Sequence, residues 1–448
     1  MPHNQEIAET SHTSIQVEVE DSEDLLVAKI AAELLDKPPT QQYIYKVPVK
    51  LRNQSDKDTY EPRIVSIGPY HHGGERFNTT EEYKRQYLGD LIKSRGTLRG
   101  TDLTAFVNAI RNMEKIVREY YAEPVILTGN EFVEMMLFDG GFILELLYKF
   151  TENESQRRQW DNDPIFGSTW MIYSLRRDLV LLENQLPFIV LEKLFELTSS
   201  RSPNALSLGE LVIKYFNPIL PTVSEDEPEL KVKPKFTYQG KHILDLLRNE
   251  LLPISPTTEK DGTYRYWEYT HSATDLWESG VKFMRKKKPD GLLDITFTGG
   301  VLEIPPFAFG ESWTILLPNL IALEQCRSDY TDQITSYVIL MDSLINSQND
   351  VKILRNKQII DRLFHEEEKV ATEVNNIFKG TADKYYYDGL CHRVNAFCRK
   401  PVHRWEASLK RDYFKTPWSI LSVLAALILL LLTVTQTTCS FVKCNPKA

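Results

Sequence analysis

FVEMMLFDGGFILELLYKF, residues 132–150, is the stretch whose reading decides the fold. It is apolar on nearly every side, which predicts a helix buried all round and central to the core. Gly140-Gly141 interrupts it. Glycine inside a helix costs about 1 kcal/mol against alanine, so another helix is expected to approach closely there. Working outward, residues 80–94 and 103–121 also read as helices. The second carries Phe106, Ile110, Met113 and Val117 at helical spacing. Residues 170–197 are long and apolar, but Pro187 should break the helix and start another at its first position. Glu183, Asn184 and Gln185 precede that proline in apolar company. If buried they must be hydrogen-bonded, most simply by capping the broken helix ends.

Toward the N-terminus, residues 1–24 hold seven acidic side chains and no Lys or Arg, and so carry −7 of the net −9. Such a segment reads as a disordered acidic tail. A short helix is expected from Leu25 to Leu35, stopping before Pro38-Pro39. YIYKVPVKL, residues 43–51, is strand-like, with Pro48 restricting it to an edge. EPRIVSIGPYHHGG, residues 61–74, reads as an ordered loop, punctuated by Gly68-Pro69 and Gly73-Gly74.

Toward the C-terminus, residues 241–251 and 273–279 read as short helices. Residues 281–287, 292–298 and 301–304 read as strands, with Gly299-Gly300 as a hairpin turn. Helices return at 313–326, along the stripe Ile334, Tyr337, Val338, Met341, Leu344, Ile345, and at 366–378, 385–398 and 402–414. The expected fold is mainly α: a large helical body of one or two lobes with a small β-hairpin region, plus one C-terminal transmembrane helix. The divisions are a tail at 1–24, a helical N-terminal lobe at 25–220 and a linker at 221–236. A helical C-terminal lobe follows at 237–416 with its hairpin near 281–305, then the transmembrane helix at 417–437 and a short tail at 438–448.

The anchor rests on WSILSVLAALILLLLTVT, residues 418–435, which lies in a run without a charged residue from Thr416 to Thr438. About 20 helical residues span the roughly 30 Å hydrocarbon core of a bilayer. Tyr413, Phe414 and Trp418 stand where interfacial rings are expected, with Phe441 beyond the other end. Arg399, Lys400, Arg404, Lys410, Arg411 and Lys415 flank one side, against Lys443 and Lys447 on the other. That bias predicts a cytosolic body held at a membrane, the plasma membrane being expected. Trp405 and Leu409, beside Lys410 and Arg411, suit contact with anionic headgroups. The first residues, MPHNQEIAETSHTS, show neither the basic start nor the apolar run of a secretory signal.

The remaining composition narrows the chemistry. Outside the tail the charge is near neutral, which gives no support to nucleic-acid binding. Five cysteines, Cys326, Cys391, Cys398, Cys439 and Cys444, are too few and too scattered for a disulfide framework. His71-His72 is the first candidate for a general base or metal ligand, but no partner spacing accompanies it. Cys391-His392, Cys398 and His403 offer zinc-type ligands without paired spacing. Asp294 and Glu303 fall on facing strands of the expected hairpin, a conceivable hydrolytic pair. Phosphate-loop, dinucleotide, HExxH and GxSxG patterns are absent from the sequence. Arg285 to Lys288 reads as a solvated strand end. No catalytic, cofactor or metal residues are therefore assigned.

Several long collinear stretches together resemble one family. They are YEPRIVSIGPYHHG (60–73), MMLFDGGFILELL (135–147), DLVLLENQLPF (178–188), HILDLLR (242–248) and SATDLWESGVKF (272–283). GVLEIPP (300–306), NLIALEQC (319–326), ITSYVILMD (334–342), RWEASLKRDYF (404–414) and the Pro417-Trp418 pair continue the series. The chain resembles the plant family called domain of unknown function 247 from about residue 43 to 437. Ile189 replaces the family's usual aromatic, and the tail of GVLEIPPFAFG differs. The resemblance implies a plant-specific, mostly helical protein, usually ending in one transmembrane helix, with no established catalysis. Some grass members are associated with pollen–stigma self-incompatibility. The expected function is a single-pass membrane-anchored interaction or recognition module, the alternative a membrane-tethered hydrolase with an unrecognised site. The expected partners are the bilayer, through 417–437, and a protein of unknown identity.

Overall fold

The computed structural model describes residues 26–28, 30, 42–54, 57–96, 102–151, 163–199, 205–221, 240–253, 267–310, 312–363, 366–377, 384–401, 405 and 417–443. The tail at 1–24, nearly all of the linker, and all of 402–414 but Trp405 lie outside them. The N-terminal helices are Val49–Gln54 (α1), Asn78–Leu91 (α2), Leu103–Arg111 (α3), Glu114–Glu119 (α4) and Gly129–Thr151 (α5). Thr169–Leu179 (α6), Phe188–Thr198 (α7), Leu208–Phe216 (α8) and Ile243–Leu251 (α9) follow. After Ala273–Glu278 (α10) come the strands Lys282–Arg285 (β1), Thr296–Thr298 (β2), Val301–Ile304 (β3) and Phe307–Phe309 (β4). Leu317–Cys326 (α11), Gln333–Leu344 (α12) and Gln348–Asn356 (α13) lead to Ile360–Leu363 (β5). The chain closes with Glu367–Ile377 (α14), Asp388–Cys398 (α15) and Pro417–Lys443 (α16).

α5 is the central helix, and its glycines explain how. A Cβ on Gly140 would stand 2.6 Å from Leu194 of α7, and one on Gly141 2.5 Å from Leu88 of α2. Two helices thus press on α5 at adjacent positions, one on each glycine. The buried apolar residues run from Ile44 to Val394 as one contiguous cluster, so helices from both halves of the chain share a core.

Three local expectations need correction. Residues 43–51 are not a strand. Ile44 makes a single parallel bridge to Tyr121, and the chain turns into α1 at Val49. The expected helix at 103–121 divides at Asn112-Met113 into α3 and α4, yet Phe106, Ile110 and Val117 are all buried. Pro187 is the N-cap of α7 rather than its first residue: ψ of 128° keeps it extended, and the Phe188 N–H donates to Lys241 O at 2.7 Å. The three strands expected around Gly299-Gly300 are present as one sheet. β2 and β3 are antiparallel across Gly299 (φ +58°) and Gly300 (φ +82°), a turn that needs two left-handed residues. β1 adds parallel to β3, giving the order β1-β3-β2. β4 and β5 pair elsewhere, and α13 begins at a capping box of Ser347 and Asp350.

α16 differs from every helix above. Its Leu421–Ser440 segment is long and apolar enough to cross a membrane and has none of its surface buried. Thr433, Thr435 and Thr437 donate their hydroxyls to the carbonyls four residues back, each at 2.7 Å. These three hydroxyls are thereby satisfied within the helix, as hydrocarbon requires.

Candidate functional site: the polar seam around Glu183

Residues 180–186 link α6 to α7 as a turn, and it is here that the buried polar side chains gather. Leaving a buried donor or acceptor unpaired costs about 1–3 kcal/mol, so each has to be followed to its partner. Asn184 Oδ1 accepts from Ile67 N at 2.7 Å, while its Nδ2 donates to Val65 O at 3.1 Å and Asp178 O at 2.9 Å. Gln185 Nε2 donates to Leu179 O and Leu181 O, both at 2.8 Å, and its Oε1 accepts from Leu244 N at the start of α9 at 3.1 Å. Asn184 and Gln185 thus close the C-terminal end of α6, as capping predicts. Gln185 also caps a helix that the sequence did not connect to it.

Glu183 serves a different end. Its Oε1 accepts from Val47 N at 2.7 Å and from the Arg52 guanidinium. Its Oε2 faces His71 Nε2 at 3.4 Å, an electrostatic contact without hydrogen-bond geometry. Burial would raise the Glu183 carboxyl, but His71, Arg52 and the Val47 amide outweigh it and hold the group below its ordinary value. His71 is mostly buried, whereas His72 is exposed and lies on the side of Glu131. The adjacent histidines therefore point to different partners.

The histidine loop is pinned along its length. Asp178 accepts from Ile64 N at 2.7 Å, Arg63 N at 2.9 Å and Val65 N at 3.1 Å, and pairs with Arg177 at 2.6 Å. Burial pushes its carboxyl up, against the pull of those amides and the guanidinium. Gly68 N donates to Asp139 at 2.8 Å, and Asp139 pairs with the fully buried Lys84 at 2.6 Å. Gly68 holds φ +72°, and a Cβ there would sit 2.6 Å from Gln185 O. Only glycine fits that position.

Across the seam, Asn319 of α11 completes the turn. It accepts from Leu182 N at 2.9 Å and donates to Thr59 O at 3.0 Å. His242 is fully buried, accepts from Asp245 N at 3.2 Å through Nδ1, and places Nε2 3.2 Å from Tyr43 O. The first contact makes Nδ1 the bare nitrogen, so Nε2 carries the proton. Burial pushes its imidazole down to about 4. Arg248 of α9 pairs with Glu324 of α11 at 2.8 Å.

The other sequence candidates are not brought together. Lys286 holds Asp294 at 2.6 Å, while Glu303 faces Thr296 at 3.4 Å. Cys391 is buried beside the Tyr385 hydroxyl at 3.4 Å, and burial pushes its thiol up to about 11. His392 turns to Glu268 at 3.0 Å and Asp388 at 3.8 Å. His403 lies outside the described residues. Among the described residues no three His, Cys, Asp or Glu side chains gather as a metal site.

Chemically, a carboxylate behind an imidazole is the arrangement that orients a general base. Glu183 and His71 have it in outline. That carboxylate is also committed to Val47 and Arg52, which makes it the fastener of the loop. Sequence reasoning found Glu183, Asn184 and Gln185. It missed Asp178, Asp139, Lys84, His242 and Asn319, of which Asp139 and Asn319 carried the signal of a polar residue inside an apolar run.

A model of a family of plant proteins of unknown function, domain of unknown function 247, matches residues 44–432. The Arabidopsis thaliana UPF0481 protein At3g47200 is 30% identical over 420 residues, covering 88% of this chain and 85% of that one. The putative UPF0481 protein At3g02645 of the same plant is 23% identical, covering 87% of this chain and 88% of its own. No solved structure matches.

Proposed function

The chain belongs to the plant protein family of unknown function described by domain of unknown function 247, and from that premise we propose a bilayer-anchored body that works by binding another protein. The observation that carries the reading is α16. Its leucines from Leu427 to Leu432 are all more than half exposed, and an unpartnered apolar helix of that length needs hydrocarbon around it. About 20 residues at 1.5 Å each match the hydrocarbon thickness. Binding is favoured over catalysis because the seam's carboxylates and amides are already committed to backbone groups. Glu183, the seam carboxylate that faces His71, holds an amide and a guanidinium as well. The plasma membrane is the proposed site, with the body in the cytosol, on the strength of the six-to-two bias of Lys and Arg flanking the helix.

Two measurements test this. Carbonate extraction should leave the full chain in the membrane pellet and release a chain ending at Lys415; equal partition of both would remove the anchor. Proximity labelling from the anchored chain in intact membranes should mark protein neighbours that vanish when the body is deleted and α16 kept. Labelling that is indifferent to the body would sink the binding reading.

A further inference from the structure

The last turn of α15 is where the folded body hands the chain on toward α16, and exposed aromatic rings stand beside it. Residues 267–269 run along that helix. Glu268 N donates to Asp388 at 3.2 Å, and Asn395 donates to Tyr269 O at 2.9 Å. The Glu268 carboxylate meets His392 at 3.0 Å and the Arg399 guanidinium just past the helix end. Trp267 and Tyr269 are thereby fixed against α15. Tyr385 backs both rings, its centroid 6.4 Å from that of Trp267 and 5.4 Å from that of Tyr269. The Cys398 thiol is hydrogen-bonded to Ser279, the residue that caps the end of α10. Trp277, in the last turn of α10, is therefore close to the same exit point. Trp267, Tyr269 and Trp277 are 41%, 50% and 43% exposed.

We infer that this aromatic collar rests in the headgroup layer of the bilayer that α16 crosses, so that the body is seated on the membrane rather than hung from it. The inference rests on the anchor reading of α16. Trp and Tyr join an apolar ring to a polar N–H or O–H, and the headgroup layer is apolar on one side and wet on the other. The chain itself brings the collar there. From Pro401 to Pro417, where α16 begins, are 417 − 401 = 16 steps. A flexible chain of that length averages about 22 Å between its ends and reaches at most about 55 Å. A body of about 400 residues has a radius of gyration of about 21 Å, so the exit end is the part held nearest the bilayer. So short a tether turns a weak surface contact into an intramolecular one, at a millimolar effective concentration. Trp405 and Trp418, 73% and 78% exposed, continue the series of rings into the anchor. Arg399 is already paired with Glu268, so the rings rather than net charge carry the contact, and uncharged lipid suffices.

The test is photo-crosslinking of the full chain in phosphatidylcholine nanodiscs, with benzoylphenylalanine replacing one exposed residue at a time. Trp267→benzoylphenylalanine and Trp277→benzoylphenylalanine should each form lipid adducts, read by mass spectrometry. Their yield should be several-fold above that of the same replacement at Trp170 or Ile126, which are exposed on α6 and on the loop before α5. Two collar positions keep the outcome decisive if one variant fails to fold. Trp418→benzoylphenylalanine reports on the anchor separately. Lipid adducts at Trp418, with none above the controls at either collar position, overturn the seat and leave the anchor standing. Their absence at Trp418 as well removes both. Collar adducts to protein instead of lipid also overturn the inference, because the surface would then belong to a partner or to a second copy.

Discussion

Asn184 spends its whole amide on the seam, on Ile67, Val65 and Asp178. Asn184→Ala strands at least one buried amide and one buried carbonyl, at about 1–3 kcal/mol for each. The expected loss is about 2–6 kcal/mol of unfolding free energy, seen as a lower urea midpoint at unchanged slope. His71→Ala removes a contact without hydrogen-bond geometry, and should cost less than about 1 kcal/mol. His242 adds a pH dependence. Burial, only partly offset by Asp245 and the Tyr43 carbonyl, lowers its pKa to about 4 in the folded chain, against about 6.5 when unfolded. Below pH 6.5 the unfolded state takes up a proton that the folded state refuses. The stabilisation is therefore complete above pH 6.5 and lost as pH falls toward 4. Urea midpoints measured at pH 7, 5.5 and 4.5 should fall in that order, and His242→Asn should flatten the series.

At the scale of elements, α5 is held by close approach rather than by side-chain bulk. Gly140→Val places atoms where Leu194 already stands, and overpacking of this kind costs about 1–3 kcal/mol. The thermal midpoint should drop by several degrees, and Leu194→Ala in the same chain should recover part of it. α16 predicts the opposite behaviour. With none of its span buried, its removal should leave the body's midpoint in detergent unchanged within about a degree. These two helices also show how much could be read from the sequence. Both were found from uniform apolarity, and the glycine pair announced its neighbours. β4, β5 and α13 were not found, because strands of three or four residues and a polar nine-residue helix carry too few periods to register. In the seam, the polar run before Pro187 was legible, since polar residues in apolar company must be paired. Their partners were not: Leu244 lies 59 residues from Gln185, and spacing within one segment says nothing about another.

For the whole molecule the decisive property is orientation. Protease added to sealed plasma-membrane vesicles of known sidedness should cut the body only when the cytosolic face is outside. Asn53, Asn78 and Asn153 each begin an Asn-x-Ser/Thr sequence, and glycan on any of them would place the body on the other side and replace a cytosolic partner with an extracellular one. One contact described above also bears on the order of events when the chain is made. Asn319 supplies the acceptor for Leu182 N and the donor for Thr59 O, the latter across 260 positions of sequence. Ribosomes add about 5–20 residues per second, so roughly 13 to 50 seconds separate the synthesis of Thr59 from that of Asn319. The turn at 180–186 is made partway through, and for the last 137 of those positions, about 7 to 27 seconds, it has no lid and its half-finished polar groups are open to water and to chaperones. A nascent chain stalled before residue 319 should remain protease-sensitive near Thr59 and Leu182, and one stalled after α11 has cleared the ribosome should not.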